Sequence, residues 1–204
     1  MKGRDKGYMI FGMHLFPGKV CARASKGCLR ACLNLSGQGC YNNVQEARVR
    51  KSKFFWEDTG AFLEMLRSEI RAMALRATRK GLIPAFRLNL TSDIPWEAYG
   101  IPQEFPHLQF YDYTAYHARH PSKNYHLTFS RKESPENHEC AKQWLRRGGN
   151  VAVVFQGEPP ETYWGFPVHS GDDDDLRFLD PFGVIALKAK GRAKSDTTGF
   201  VVTE

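Results

Sequence analysis

Apolar and aromatic residues first gather in Tyr8 to His14, YMIFGMH, a run short enough for a buried strand, and Pro17-Gly18 closes it with a turn signal. A helical pattern covers Asn42 to Trp56. A clearer one follows Asp58 and Thr59, either of which can cap it, because Phe62, Leu63, Leu66, Ile70, Met73, Ala74 and Ala77 recur at three- and four-residue steps on one face. Arg76, Arg79 and Lys80 complement the dipole at its end, and Gly81 and Pro84 stop it. Further strands are predicted at Ala85 to Asp93, Leu108 to Thr114, Tyr125 to Ser130, Val151 to Gln156 and Val184 to Lys188. A helix opened by Ser134 and Pro135 and closed by Gly148-Gly149 lies between Ser130 and Val151. The link from Thr114 to Tyr125 is short for a helix, so an irregular connection is expected there.

Strand-like runs separated by crossover-length segments argue for a mostly parallel α/β sheet in a single domain spanning residues 1–204. A partial β/α barrel with a cysteine loop after its first strand fits the order of elements best, and an open doubly wound sheet is the alternative. In either fold, polar residues at strand ends face a common rim, where α/β proteins place their sites. The strands end in Asn89, Thr91, Ser92 and Asp93, then in Asp112, Tyr113 and Thr114, then in Thr128 and Ser130. The cysteines, Asp93, Asp112 and Ser130 are therefore expected on one rim.

The chemistry with the most specific spacing is in Cys21 to Cys40, CARASKGCLRACLNLSGQGC, where the gaps are Cys-x6-Cys-x3-Cys-x7-Cys. Converging thiols become thiolates that hold a soft metal. Cys28 and Cys32 are four apart, so one helical turn would put both sulfurs on one face. An iron–sulfur cluster is the leading expectation. Zinc is the rival, although its loops usually carry tighter cysteine pairs. Disulfides need an oxidising compartment, and the first residues hold no apolar run of the length a secretory signal needs.

A 42% hydrophobic fraction excludes general disorder, and no run reaches the length of a membrane span. The net charge of +7 permits a polyanionic partner, for which Arg48, Arg50, Lys51 and Lys53 are candidate contacts. His169 to Pro181, HSGDDDDLRFLDP, carries five aspartates around Arg177. An exposed acidic turn is the first expectation, with pairing to Arg177 or other basic residues and a divalent-ion site as alternatives. No Walker loop, dinucleotide fingerprint or nucleophile elbow is present.

The cysteine loop, VQEARVRKS, RLNLTSDIPWE at Arg87 to Glu97, FYDYT, NYHLTFS, NVAVVF, GDDDDLRFLDP and LKAKG, in that order, resemble the phage "gene product 88" family. The resemblance implies a phage protein in the cytoplasm of a bacterial host, with a radical-SAM-like motif in which Cys21, Cys28 and Cys32 hold a [4Fe-4S] cluster. It further implies S-adenosylmethionine as the molecule an open iron would chelate, with Cys40, Cys140 or a non-cysteine group left open as fourth ligand. The gaps of six and three differ from the usual radical-SAM spacing, and Thr91-Ser92-Asp93 stands where that pattern has Gly-Gly-Glu. On this reading Asn89, Ser92, Asp93 and Ser130 line the cofactor cavity, and Asp93, Asp112 and Tyr113 are the catalytic candidates. Asp93 would orient a polar group, and Tyr113 would donate a proton or hydrogen atom. The contrasting expectation is a non-catalytic module, stapled by an iron–sulfur cluster or zinc, that binds host nucleic acid or an acidic host protein.

Overall fold

Asp58 separates two helical stretches by ending one and starting the next. Its backbone N–H closes α2 (Asn42–Glu57) on the Phe54 carbonyl, and its carboxylate caps α3 (Thr59–Thr78) by accepting from Ala61 N. The α3 side chains Phe62, Leu66, Ile70 and Ala77 are buried, the face expected from their spacing. The computed structural model describes residues 3–203.

The strands are β1 (Tyr8–Gly12), β2 (Ile83–Arg87), β3 (Gln109–Thr114), β4 (Tyr125–Ser130), β5 (Val151–Phe155), β6 (Thr162–Tyr163), β7 (Phe166–Ser170), β8 (Val184–Lys188) and β9 (Val201–Val202). They form one sheet in the order β1-β2-β3-β4-β5-β8-β7-β6, parallel except at the β6–β7 hairpin, with β9 also on β5. The sheet is not closed. From β1 to β5 each strand lies beside its sequence neighbour, without the reversal of order that defines a doubly wound sheet. The remaining helices are α1 (Lys26–Arg30), α4 (Ile101–Glu104) and α5 (Pro135–Arg146), the last capped by Ser134. The 115–124 connection has no regular element, as its length predicted.

Alternation divides the sheet into two faces. In register across β1, β2 and β3, Phe11, Phe86 and Phe110 stack at 5.4 Å between neighbouring rings and join the core that includes Phe55, Phe62 and Trp96. The other face carries Tyr8 and Tyr111, and both rings meet Phe178 edge-on at 5.3 Å. Phe178 belongs to the crossover between β7 and β8, which is the aspartate-rich segment. The expected exposed acidic turn is thus corrected: Leu176 and Arg177 are buried, Asp175 pairs with Arg87 at 2.9 Å, and Asp180 pairs with Arg177 at 3.1 Å. Four successive aspartates are tolerated because Arg87 of the sheet, Lys6, Lys190 and the segment's own Arg177 pair with Asp175, Asp174 and Asp172.

Other boundaries also moved. The second strand stops at Arg87, and residues 89–93 fold into a loop because the Asn89 side chain bonds both Ile94 N and Ile94 O in place of a ladder. Cys32 lies beyond the end of α1, so it does not share a helical face with Cys28. The β6–β7 hairpin turns on Trp164 and Gly165, at φ 55° and 81°, a two-residue turn that a Trp-Gly pair does not advertise.

Candidate functional site

A cavity of about 330 Å³ opens at the carboxyl ends of the parallel strands. Cys21, Cys28 and Cys32 line one side; Asn89, Ser92, Asp93, Tyr113 and Ser130 line it from the ends of β2, β3 and β4. Asp112 lies off the cavity, because alternation on β3 turns it to the face opposite Tyr113. Cys40 is exposed and Cys140 packs in a second core with Trp144, so neither lines the cavity.

The cysteine loop is held at three points. Cys21 Sγ points to the Thr91 carbonyl at 3.6 Å, and Asp93 N bonds the Val20 carbonyl at 2.8 Å, joining the loop to the end of β2. Ser25 caps α1 by accepting from Cys28 N at 3.1 Å. Glu133 accepts from Ser25 Oγ at 2.6 Å and Gly27 N at 2.7 Å. Although burial pushes the Glu133 carboxyl upward, these hydrogen bonds prevail and hold it below the usual range. Gly27 admits this contact: a Cβ there would come within 2.2 Å of Thr198 Oγ1 and 2.6 Å of Phe200 Cβ. The far half of the loop hangs on Arg48, whose NH1 donates to Asn34 O at 2.5 Å and Asn34 Oδ1 at 2.6 Å.

Burial pushes the Cys21 thiol up to about 11, assisted by the charges of Cys28 and Cys32 if ionised, and burial raises Cys32 as well. Burial therefore favours the neutral thiol at both positions, and a neighbouring cation or metal ion would favour the thiolate. Among the described residues, no three His, Cys, Asp or Glu side chains are gathered as a set for one metal ion, and all five cysteines are free.

On the opposite wall, Arg87 lies over the Tyr113 ring at 4.7 Å while its NH1 meets both Asp175 oxygens at 2.9 Å. Asp93 accepts from Ala115 N at 2.8 Å and faces Arg119 at 3.4 Å. Ser92 Oγ donates to Asn89 Oδ1 at 2.7 Å. The wall therefore offers oriented polar groups of both signs.

A family model described as Gene product 88 matches residues 2–204. The chain belongs to the Gene product 88 family. No curated protein sequence and no solved structure matches it. The breadth of the match means that the cysteine loop, the acidic crossover and the C-terminal strand are all parts of the Gene product 88 unit, one of phage gene products.

In this Gene product 88 chain three of the four candidate contacts on α2, Arg50, Lys51 and Lys53, are exposed, and Arg48 is not. Arg48 is buried against the cysteine loop, and Arg50 and Lys53 pair with Glu46 and Glu57 one turn away. Lys51 is the remaining member, beside an apolar groove between α2, α3 and β1. Sequence reasoning missed Arg87, Arg131, Lys132 and Glu133 at the site. Arg131-Lys132-Glu133 directly follows β4, so extending the search for polar residues past Ser130 would have found them.

Burial pushes the Asp112 carboxyl up to about 7, against hydrogen bonds from Tyr125 and Asn89 N and the charges of Arg87 and Arg119. Because the folded state holds this proton more tightly than an unfolded carboxyl near 3.8, its contribution favours folding at low pH and is lost as pH rises from about 4 to 7. His14 is pushed down to about 4 by burial, which acts with opposite sign over much of that window. The difference between wild type and Asp112→Asn isolates the carboxyl: wild type should lose more urea resistance than the variant between pH 5 and pH 8. Parallel pH profiles would show that Asp112 does not titrate there.

Proposed function

We propose that this chain is an iron–sulfur protein in which Cys21, Cys28 and Cys32 hold a [4Fe-4S] cluster beside the cavity, on a partial β/α barrel of radical-SAM-like build. The observation that carries the reading is the placement of these three thiols, from a single loop, on one wall of a cavity at the carboxyl ends of parallel strands. Each cysteine of a cluster binds a different iron, so the sulfurs need not meet at one point as they would for zinc. Cys40 and Cys140 do not line the cavity, so a cluster held by the three-cysteine set would have one iron without a thiolate. A bound cluster supplies one-electron chemistry and, at that iron, a place to chelate a small molecule such as S-adenosylmethionine.

The chain's own part is binding and orientation. Asp93, fixed by Ala115 N, orients a polar group of the bound molecule, and Tyr113 presents its hydroxyl with Arg87 across its ring. Asn89 and Ser92 set the course of the loop that carries Asp93; Ser130 adds a hydroxyl from β4. Asp112 acts through Asn89 and Tyr125 instead of touching the cavity. Membership in a phage family supports action in the host cytoplasm.

Protein purified without oxygen is expected to be brown, with iron and sulfide in equal amounts. Colourless protein containing zinc would overturn the cluster. With a reducible cluster in hand, added S-adenosylmethionine should yield 5′-deoxyadenosine; its complete retention would remove the radical-SAM part of the reading.

A further inference from the structure

Three consecutive residues after β4 each grip a different part of the site. Arg131 NH1 donates to the Gly199 and Phe200 carbonyls at 2.5 and 2.9 Å and pins the chain just before β9. Glu133 holds Ser25 and Gly27 of the cysteine loop. Between them, Lys132 places Nζ 3.1 Å from Cys28 Sγ.

Lys132 is only 8% exposed, and among the described residues its ammonium has no carboxylate oxygen within salt-bridge distance; its sequence neighbour Glu133 is taken up by the loop. Its stem is seated, with Nζ 5.4 Å from the Phe200 ring centroid. Its backbone is fixed from α5, with N donating to Asn137 Oδ1 at 2.6 Å and O facing His138 Nε2 at 2.8 Å. An ammonium withdrawn from water is costly without a counter-charge. The group it faces is sulfur.

We propose that Lys132 is a positioning residue for the cluster: its ammonium donates to the Cys28 sulfur and favours the reduced state. The inference rests on the cluster reading above. On reduction one electron passes from an external reductant such as dithionite to the cluster, and no bond is made or broken. The reduced form carries one more negative charge, so a fixed cation and an N–H donor at a ligand sulfur raise the midpoint potential.

Lys132→Met keeps a stem against Phe200 and removes the charge, while Lys132→Arg restores a cation. Both are compared with wild type after anaerobic reconstitution, by iron and sulfide content and by redox titration followed in the visible spectrum. Lys142→Met, which removes a cation of α5 paired with Glu139 outside the cavity, serves as control. At equal iron content, Lys132→Met should titrate at a more negative potential, Lys132→Arg should return toward wild type, and Lys142→Met should not move. Iron lost from Lys132→Met and retained by Lys132→Arg also supports a cation at the sulfur. Equal potentials at equal iron content, or iron lost from both variants, overturn the role of Lys132 while a brown wild type keeps the cluster reading standing. Wild type without iron overturns both.

Discussion

Serine at position 28 should leave anaerobically purified protein without its brown colour and nearly without iron, and serine at 21 or 32 should do the same. The hydroxyl that replaces each thiol has almost the same shape but is a hard, weakly acidic donor, unsuited to iron in a sulfide-rich cluster. The three positions are not equivalent in their surroundings. Cys28 lies beside Lys132, whereas Cys21 and Cys32 are pushed toward the neutral thiol by burial. Cys40→Ser and Cys140→Ser should keep the colour, since one side chain is exposed and the other packs in a separate core. Iron and sulfide analysis with circular dichroism separates loss of metal from loss of fold. Full iron in Cys28→Ser, or iron lost on Cys40→Ser, would overturn the ligand set.

Asn89→Ala should lower the unfolding free energy by about 3 kcal/mol or more, since each buried polar group left without a partner costs about 1–3 kcal/mol. Asn89 is 3% exposed, and its Oδ1 accepts from Ser92 Oγ at 2.7 Å, Ile94 N at 3.0 Å and Trp96 Nε1 at 3.2 Å. Its Nδ2 donates to the Ile94 carbonyl at 2.9 Å and toward Asp112 at 3.3 Å. Alanine strands donors inside the protein and releases the loop that carries Ser92 and Asp93. Urea unfolding followed by tryptophan fluorescence reads the loss, and Trp96, whose Nε1 donates to Asn89 Oδ1, is one of the four emitters. A change under about 1 kcal/mol, within the range of an ordinary single hydrogen bond, would show that the loop does not depend on this side chain.

Local signals accounted for most elements. The α3 face was readable because its apolar positions share a helical period and because Asp58 and Ser134 are capping residues whose effect is confined to one turn. The parallel sheet was readable from strand-like runs and crossover lengths, and β4 and β8 kept their expected bounds. The cysteines could be singled out because their spacing is itself a chemical pattern. Asn89 was legible as a polar strand end but not as the hub of a buried network, since Trp96 and Ile94 reach it only through the course of the folded loop.

The chain's own order of residues determined an α/β protein with a thiol-rich loop after its first strand. Only the tertiary structure decided which side chains share the cavity. Arg48 looked like a surface cation and became a clamp, the aspartates looked solvated and became partners of Arg87 and Arg177, and Lys132 reached Cys28 from more than a hundred residues away. Burial, charge pairing and the choice of sheet face depend on groups distant in sequence, whereas period and capping are written within a few turns of the chain.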